Sequence, residues 1–238
     1  MTHQPHPSTP PGPSAPSLQI TALVDPLCGW CHGAGPALTW LAAQPGVALR
    51  LAPTGLFAGT GRVMSEDLAA YAWGADQRIA AMTGQVFSQR YRREVLGATG
   101  QAFDSAAATL ALTAVSLTAP ADEARALHAL QAARYVQGQD LTDPAVLQTV
   151  LRGLGLADAA ARLQSSESRA DLLDRNATRL RAARALMQAV GAQGVPALVA
   201  HGAAGPHLLD SRALYAGPAA WPAWLTTANK IAAIGVSP

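Results

Sequence analysis

The sequence predicts an α/β fold in which a β-α-β unit near the start and a β-β-α unit near the end are separated by a long run of helices. Three observations carry that prediction. Short runs rich in Val, Ile, Leu and Thr, punctuated by Pro, Gly and Asp, flank the chain at both ends. The stretch between them, residues 62–190, reads as one helical segment after another, each with a recognisable start or stop. Half of the 238 residues are hydrophobic and only 13% are charged, which is ample material for a large buried core.

Leu18–Val24 (LQITALV) is short and bounded by Pro16 and Asp25-Pro26, as a buried strand would be. Cys28 opens a helical stretch over about Trp30–Ala43 that stops at Pro45-Gly46. Val47–Pro53 reads as the second strand, and a right-handed crossover makes it parallel to the first. Ser65 is placed to cap one helix, and Asp104-Ser105 to cap another over Ala106–Leu117 that ends before Pro120. Ala121–Val136 ends near Gly138. Thr142-Asp143-Pro144 joins a capping residue to proline at the first helical position. Ser168–Val190 makes a long helix that stops at Gly191. The strand pattern returns at Val195–Ala200, turns at Gly202–Gly205 and pairs with His207–Leu209, and a last helix follows over Ala219–Ile231. This layout divides the chain into a Pro-rich tail (1–17) expected to be disordered, an α/β domain built from 18–61 and 191–238, and an inserted helical domain at 62–190.

Seventeen basic and fifteen acidic side chains leave a formal charge of +2, and Lys230 is the sole lysine among scattered arginines. That balance is too weak to suggest a nucleic-acid or anionic-membrane partner, and no apolar run is long enough to span a bilayer. Six prolines fall within the first seventeen residues, without the basic start and apolar core of a secretory signal. The expected location is cytoplasmic.

Cys28 and Cys31 are the whole cysteine inventory and form one Cys-Gly-Trp-Cys motif. A disulfide-stapled scaffold needs more cysteines at wider spacings, and a structural zinc site needs about four ligands. The pair therefore reads as redox chemistry. A thiol at a helix start faces unpaired backbone N–H groups and the positive end of the macrodipole, which favour the thiolate, the nucleophile of disulfide exchange. Cys31, one turn deeper, is placed to resolve the mixed disulfide.

A Cys-x-x-Cys at the first strand-to-helix turn, with Gly194-Val195-Pro196 before the third strand, resembles the thioredoxin fold. The large all-helical insertion resembles the DsbA family, and Asp25-Pro26-Leu27-Cys28-Gly29-Trp30-Cys31-His32-Gly33 is similar to its cytoplasmic, predicted protein-disulfide-isomerase branch. Phe103-Asp104-Ser105 and Tyr135–Leu147 (YVQGQDLTDPAVL) extend the likeness, which covers residues 18–235 in layout. The resemblance implies a thiol–disulfide oxidoreductase or isomerase acting through Cys28 and Cys31 on protein or small-molecule thiols and disulfides. It implies no organic cofactor, with glutathione eligible as co-substrate. It also implies a cis bond before Pro196, with the Val195 backbone pairing with substrate, and a redox potential tuned by Gly29-Trp30.

Several residues carry two readings. Trp30 offers an apolar surface to substrate or packs on the protein itself. His32, as a cation, favours the Cys28 thiolate, or else its ring is solvated. The buried acid that thioredoxins carry six residues before the first cysteine is here Ala22, so proton transfer to Cys31 passes through water unless Asp25 serves as relay; the turn or cap reading of Asp25 competes. Asp210-Ser211-Arg212 resembles the segment with which kappa-class glutathione transferases hold the γ-glutamyl end of glutathione, against a plain capping role for Asp210 and Ser211. Gln89–Arg93 reads as a solvated helix face. The insertion is expected to cover the redox face and select substrates, meeting the Cys28 pocket near Phe103–Ser105. Competing functions are a kappa-class type glutathione-dependent transferase or isomerase, whose members typically have serine at the place of Cys28, and a non-enzymatic chaperone-like binding module. None of these signals specifies an oligomeric state.

Overall fold

The computed structural model describes residues 18–234, so the Pro-rich stretch at 1–17 lies outside the described residues. Strand β1 (Leu18–Val24) and strand β2 (Val47–Pro53) fill the expected runs and pair in parallel, from Leu18 opposite Val47 to Val24 opposite Pro53. Strand β3 (Ala197–Gly202) runs antiparallel on the other side of β1, and β4 (Gly205–Leu209) pairs antiparallel with β3, giving the order β2-β1-β3-β4. The two central strands are buried along Ala22–Val24 and Ala197–Ala200, as strand segments covered on both faces are, and reach the surface at Gln19 and His201. Val195 and Pro196 lie just ahead of the β3 ladder, where a residue without an N–H disturbs no strand pairing.

The first helix is split. Helix α1 (Gly29–Gly33) and helix α2 (Gly35–Ala42) meet at Ala34, because Pro36 has no N–H to continue the ladder. Between β2 and β3 come α3 (Glu66–Thr83), the short α4 (Gln89–Tyr91) with a π-helical turn at Arg92–Leu96, α5 (Ala106–Thr118), α6 (Glu123–Tyr135), α7 (Pro144–Gly153), α8 (Ala157–Gln164) and α9 (Arg169–Ala189). Helix α10 (Trp221–Ile234) closes the described chain. The Ser65 hydroxyl accepts from Leu68 N (3.2 Å) and Asp143 from Ala145 N (2.8 Å), so both caps form where the residue types call for them. No side chain caps α8, and nothing in its sequence marks its start.

Helix α5 is the hub of the helical part. Its stretch from Ala108 to Val115 is buried, and it packs against α6, α8 and α9. One apolar cluster runs from β1 through α2 into α5 and α6, so sheet and helices share a core. Helix α9 reaches back to β2. Arg179 donates to the Leu51 carbonyl (2.9 Å) and pairs with the buried Glu123. Arg184 donates to the carbonyls of Thr54 (2.8 Å) and Gly55 (2.9 Å).

Candidate active site

Cys28 is the N-cap of α1, with extended backbone (φ −87°, ψ 116°), and its N–H donates to the Asp25 carbonyl at 3.1 Å. Both cysteines are free thiols. Cys28 is 7% exposed and Cys31 is fully buried, which separates an outer from an inner sulfur. The Val195–Pro196 bond is cis, and the Cys28 thiol donates to the Val195 carbonyl at 3.4 Å. Two distant segments thus converge on one sulfur. Burial pushes the Cys31 thiol well up, and its hydrogen bond with Cys28 and the charge of Cys28 add to the shift.

Asp25 is buried and takes three hydrogen bonds. Oδ1 accepts from Leu27 N (2.9 Å), forming the turn that delivers Cys28, and Oδ2 accepts from Phe57 N (3.2 Å) and the Ser105 hydroxyl (2.8 Å). Burial still raises its carboxyl above the ordinary range, and its charge adds to the upward push on Cys31. The turn geometry is therefore present together with electrostatic contact to the inner thiol. Ser105, expected as a cap, spends its hydroxyl on Asp25, and Asp104 caps α5 by accepting from Ala106 N (2.7 Å). Phe103 and Ser105 are buried behind the active-site turn rather than in the cleft described below. Ala22 is buried on β1 between Leu51 and Leu198, an apolar site with no acid.

His32 corrects both of its readings. It is 1% exposed, stacked on Tyr135 at 4.8 Å with Phe87 edge-on at 5.1 Å, so the ring is not solvated. Burial lowers its pKa from 6.5 to about 4, so it is neutral near pH 7 and supplies no cation to Cys28. A depressed histidine contributes stability that is present above 6.5 and lost as pH falls through about 4. Wild type should lose up to about 3 kcal/mol over that window through this group. Urea unfolding of wild type and His32→Gln at the two ends of the window checks this; equal acid losses in both proteins would assign the effect elsewhere.

Beside the cysteines lies a cleft of about 950 Å³, walled by Trp30, Met82, Gly194–Pro196, Asp210–Arg212 and Tyr215. Trp30 fits both of its readings: it lines the cleft and packs edge-on against Tyr215 at 5.1 Å. The Tyr215 hydroxyl donates to the Trp30 carbonyl (3.2 Å), fixing this wall. Asp210 caps the turn at Ser211–Tyr215 by accepting from Arg212 N (3.0 Å) and pairs with the Arg212 guanidinium (2.8 Å), which draws its carboxyl down. Ser211 accepts from Leu198 N (3.3 Å). Asp210 takes the capping role, the Ser211 hydroxyl instead ties the turn to β3, and both residues remain on the cleft wall. From the helical segment, Met82 of α3 reaches the cleft.

Sequence reasoning missed Asp76, Tyr91 and Tyr215. Asp76 of α3 is 5% exposed, and its Oδ2 accepts from the Tyr91 hydroxyl at 2.9 Å. Tyr91 belongs to the run read as a solvated face; its neighbours Arg90 and Arg92 are exposed, but Tyr91 is buried. One signal was available: Asp76 falls four residues after Ala72 and three before Ile79, on the apolar stripe of its helix.

A Cys-x-x-Cys pair at the first strand-to-helix turn, beside a cis proline on a β-α-β … β-β-α frame, defines a thioredoxin-fold thiol–disulfide oxidoreductase with a helical insertion. The chain belongs to the DSBA-like thioredoxin domain family, whose model matches residues 19–214. It is similar to the cytosolic disulfide reductase DsbM from Pseudomonas aeruginosa, with 31% identity, a TM-score of 0.79, and 90% of this chain and 100% of that one covered. The structure of the same reductase with GSH gives 31% identity and a TM-score of 0.76 over 88% of this chain and 98% of that one. The oxidoreductase DsbA from Xylella fastidiosa shares the fold at 16% identity and a TM-score of 0.50, over 92% of this chain and 89% of that one. No curated protein matches the chain by sequence. The protein is an enzyme that exchanges thiols and disulfides. No helix among the described residues is long and apolar enough to cross a membrane.

Proposed function

We propose that the protein is a cytoplasmic, glutathione-coupled disulfide reductase in which Cys28 attacks and Cys31 resolves. The observation that carries this reading is the Cys28 thiol at 3.4 Å from the Val195 carbonyl beside cis Pro196, with Cys31 sealed behind it. The Cys28 thiolate attacks one sulfur of a substrate disulfide. The Cys28–substrate disulfide forms, the substrate S–S bond breaks, and the departing thiolate takes a proton. Cys31 then gives up its proton and attacks the Cys28 sulfur. This closes the Cys28–Cys31 disulfide and releases the second substrate thiol. Two electrons have passed to the substrate, and two glutathione thiols return them by the reverse pair of exchanges, leaving as glutathione disulfide. The cycle balances without an organic cofactor.

The cleft is of a size that holds small ligands. In this reading a glutathione backbone pairs with Val195, Trp30 covers its apolar side, and Asp210 and Ser211 receive its γ-glutamyl end. The similar reductase solved with GSH supports glutathione as co-substrate, and its cytosolic location supports the cytoplasm. A transferase needs no inner thiol, whereas a buried Cys31 one turn behind Cys28 suits a two-step exchange. Residues 62–190 act as a helical insertion that meets the substrate through Met82 of α3.

Equilibrating the protein with known ratios of glutathione and glutathione disulfide tests the direction of electron flow. The expected reduction potential lies nearer the roughly −270 mV of thioredoxin than the roughly −120 mV of a strong oxidant. A value at the oxidising end reverses the assignment, and no exchange with glutathione at all ends it.

A further inference from the structure

The residue after Cys28 is glycine, and the space a side chain would occupy there is already taken. A Cβ placed on Gly29 would lie 2.3 Å from Asp76 Oδ1 and 3.5 Å from its Cγ. The Asp76 carboxyl group therefore rests against the backbone next to Cys28, buried, and delivered by a helix that packs on α1. Its other oxygen is held by the Tyr91 hydroxyl at 2.9 Å. The groups that face it are Tyr91 from α4 and Arg134 and Tyr135 from α6. Arg134 stands over the ring of Tyr91 at 5.5 Å, and its charge favours the ionised carboxyl. Tyr135 lies within electrostatic reach of both Asp76 and Cys28.

We propose that Asp76 is a positioning residue that sets the redox balance of the cysteine pair: its carboxylate, held against Gly29, opposes negative charge on Cys28 and biases the pair toward the disulfide. The inference rests on Cys28 and Cys31 being the redox pair proposed above. A thiolate exists only in the reduced protein. A carboxylate nearby in a dry site raises the energy of that state and leaves the uncharged disulfide untouched. Disfavouring the reduced form makes the protein a stronger electron donor. Glycine in the dipeptide is then what lets the helical insertion bring a charge to the redox site.

The test is the equilibrium in which the Cys28–Cys31 disulfide and two glutathione thiols give the reduced protein and glutathione disulfide: two electrons pass to the protein, one proton goes to Cys31, and the second goes to solvent to the extent that Cys28 is thiolate. Asp76→Asn removes the charge and keeps an acceptor for Tyr91. It should shift the equilibrium constant about tenfold toward the reduced protein at about pH 8, which corresponds to roughly 30 mV. Burial raises the Asp76 carboxyl to about 7, so at about pH 5.5 the two proteins should agree. Tyr91→Phe removes a hydrogen bond that favours the ionised carboxyl, so the bias should set in at higher pH with the same amplitude. A merely structural role predicts the same shift at every pH, and that result overturns the proposal. So does an unchanged constant for Asp76→Asn at the alkaline end, or a Tyr91→Phe profile that superimposes on wild type. Wild type that fails to exchange with glutathione removes the proposed function instead, a separately visible outcome.

Discussion

Cys28→Ser should lower disulfide-reducing turnover on the order of 10³-fold or more, because a serine hydroxyl is not ionised at neutral pH and is a poor nucleophile toward sulfur. The fold should persist. The replaced sulfur sits at the N-cap of α1, where serine is a favoured residue type, and the hydroxyl can still donate to the Val195 carbonyl. Urea unfolding should therefore change by no more than about 1 kcal/mol. The loss of activity then belongs to the chemistry and not to the folded fraction. Turnover of a small disulfide in the presence of glutathione measures it. Survival of a tenth of the wild-type rate would remove Cys28 from the role of nucleophile.

Cys31→Ser separates the two halves of the cycle. The outer thiol still attacks, but nothing behind it opens the mixed disulfide, so one equivalent of substrate should remain bound to Cys28. Steady-state turnover should fall on the order of 100-fold, the residue being release by free glutathione. Wild type carries a second signature. Burial pushes the Cys31 thiol up, so its reactive fraction, and with it the release step, should rise with pH across the neutral range. The variant should lose that dependence. Mass spectrometry of the intact protein after mixing with glutathione disulfide reads the trapped adduct. Full turnover without an adduct would favour a transferase over a reductase.

The strands and the cysteine turn were legible because each is written in contiguous residues. The bounds of β1 and β2 coincide with LQITALV and VALRLAP, and Asp143-Pro144 starts α7 as those two residue types require. What escaped notice depends on partners far along the chain. Ser105 carries the chemistry of a helix cap, and only the arrival of Asp25 beneath it turns the hydroxyl away. His32 sits next to the cysteine motif, and its neutrality follows from Phe87 and Tyr135 closing over it. Asp76 reads as one more polar helical residue until Tyr91 and Gly29 are brought against it. Backbone preferences and short motifs are local, whereas the burial that shifts a charge is created by packing.

The arginines of α9 that reach β2 also govern what happens at the margins of the sheet. The strand order leaves β2 and β4 with one side each open to pairing with a foreign chain. Arg179 already occupies the Leu51 carbonyl, and Arg184 those of Thr54 and Gly55 just beyond the strand. The other margin, β4, is five residues long and contains Pro206. A protein whose disulfides are being opened exposes extended, adhesive segments, and a bare sheet margin beside it would nucleate co-aggregation. With both margins obstructed, such a segment is left to the backbone pairing at Val195 that the proposed cycle assigns it.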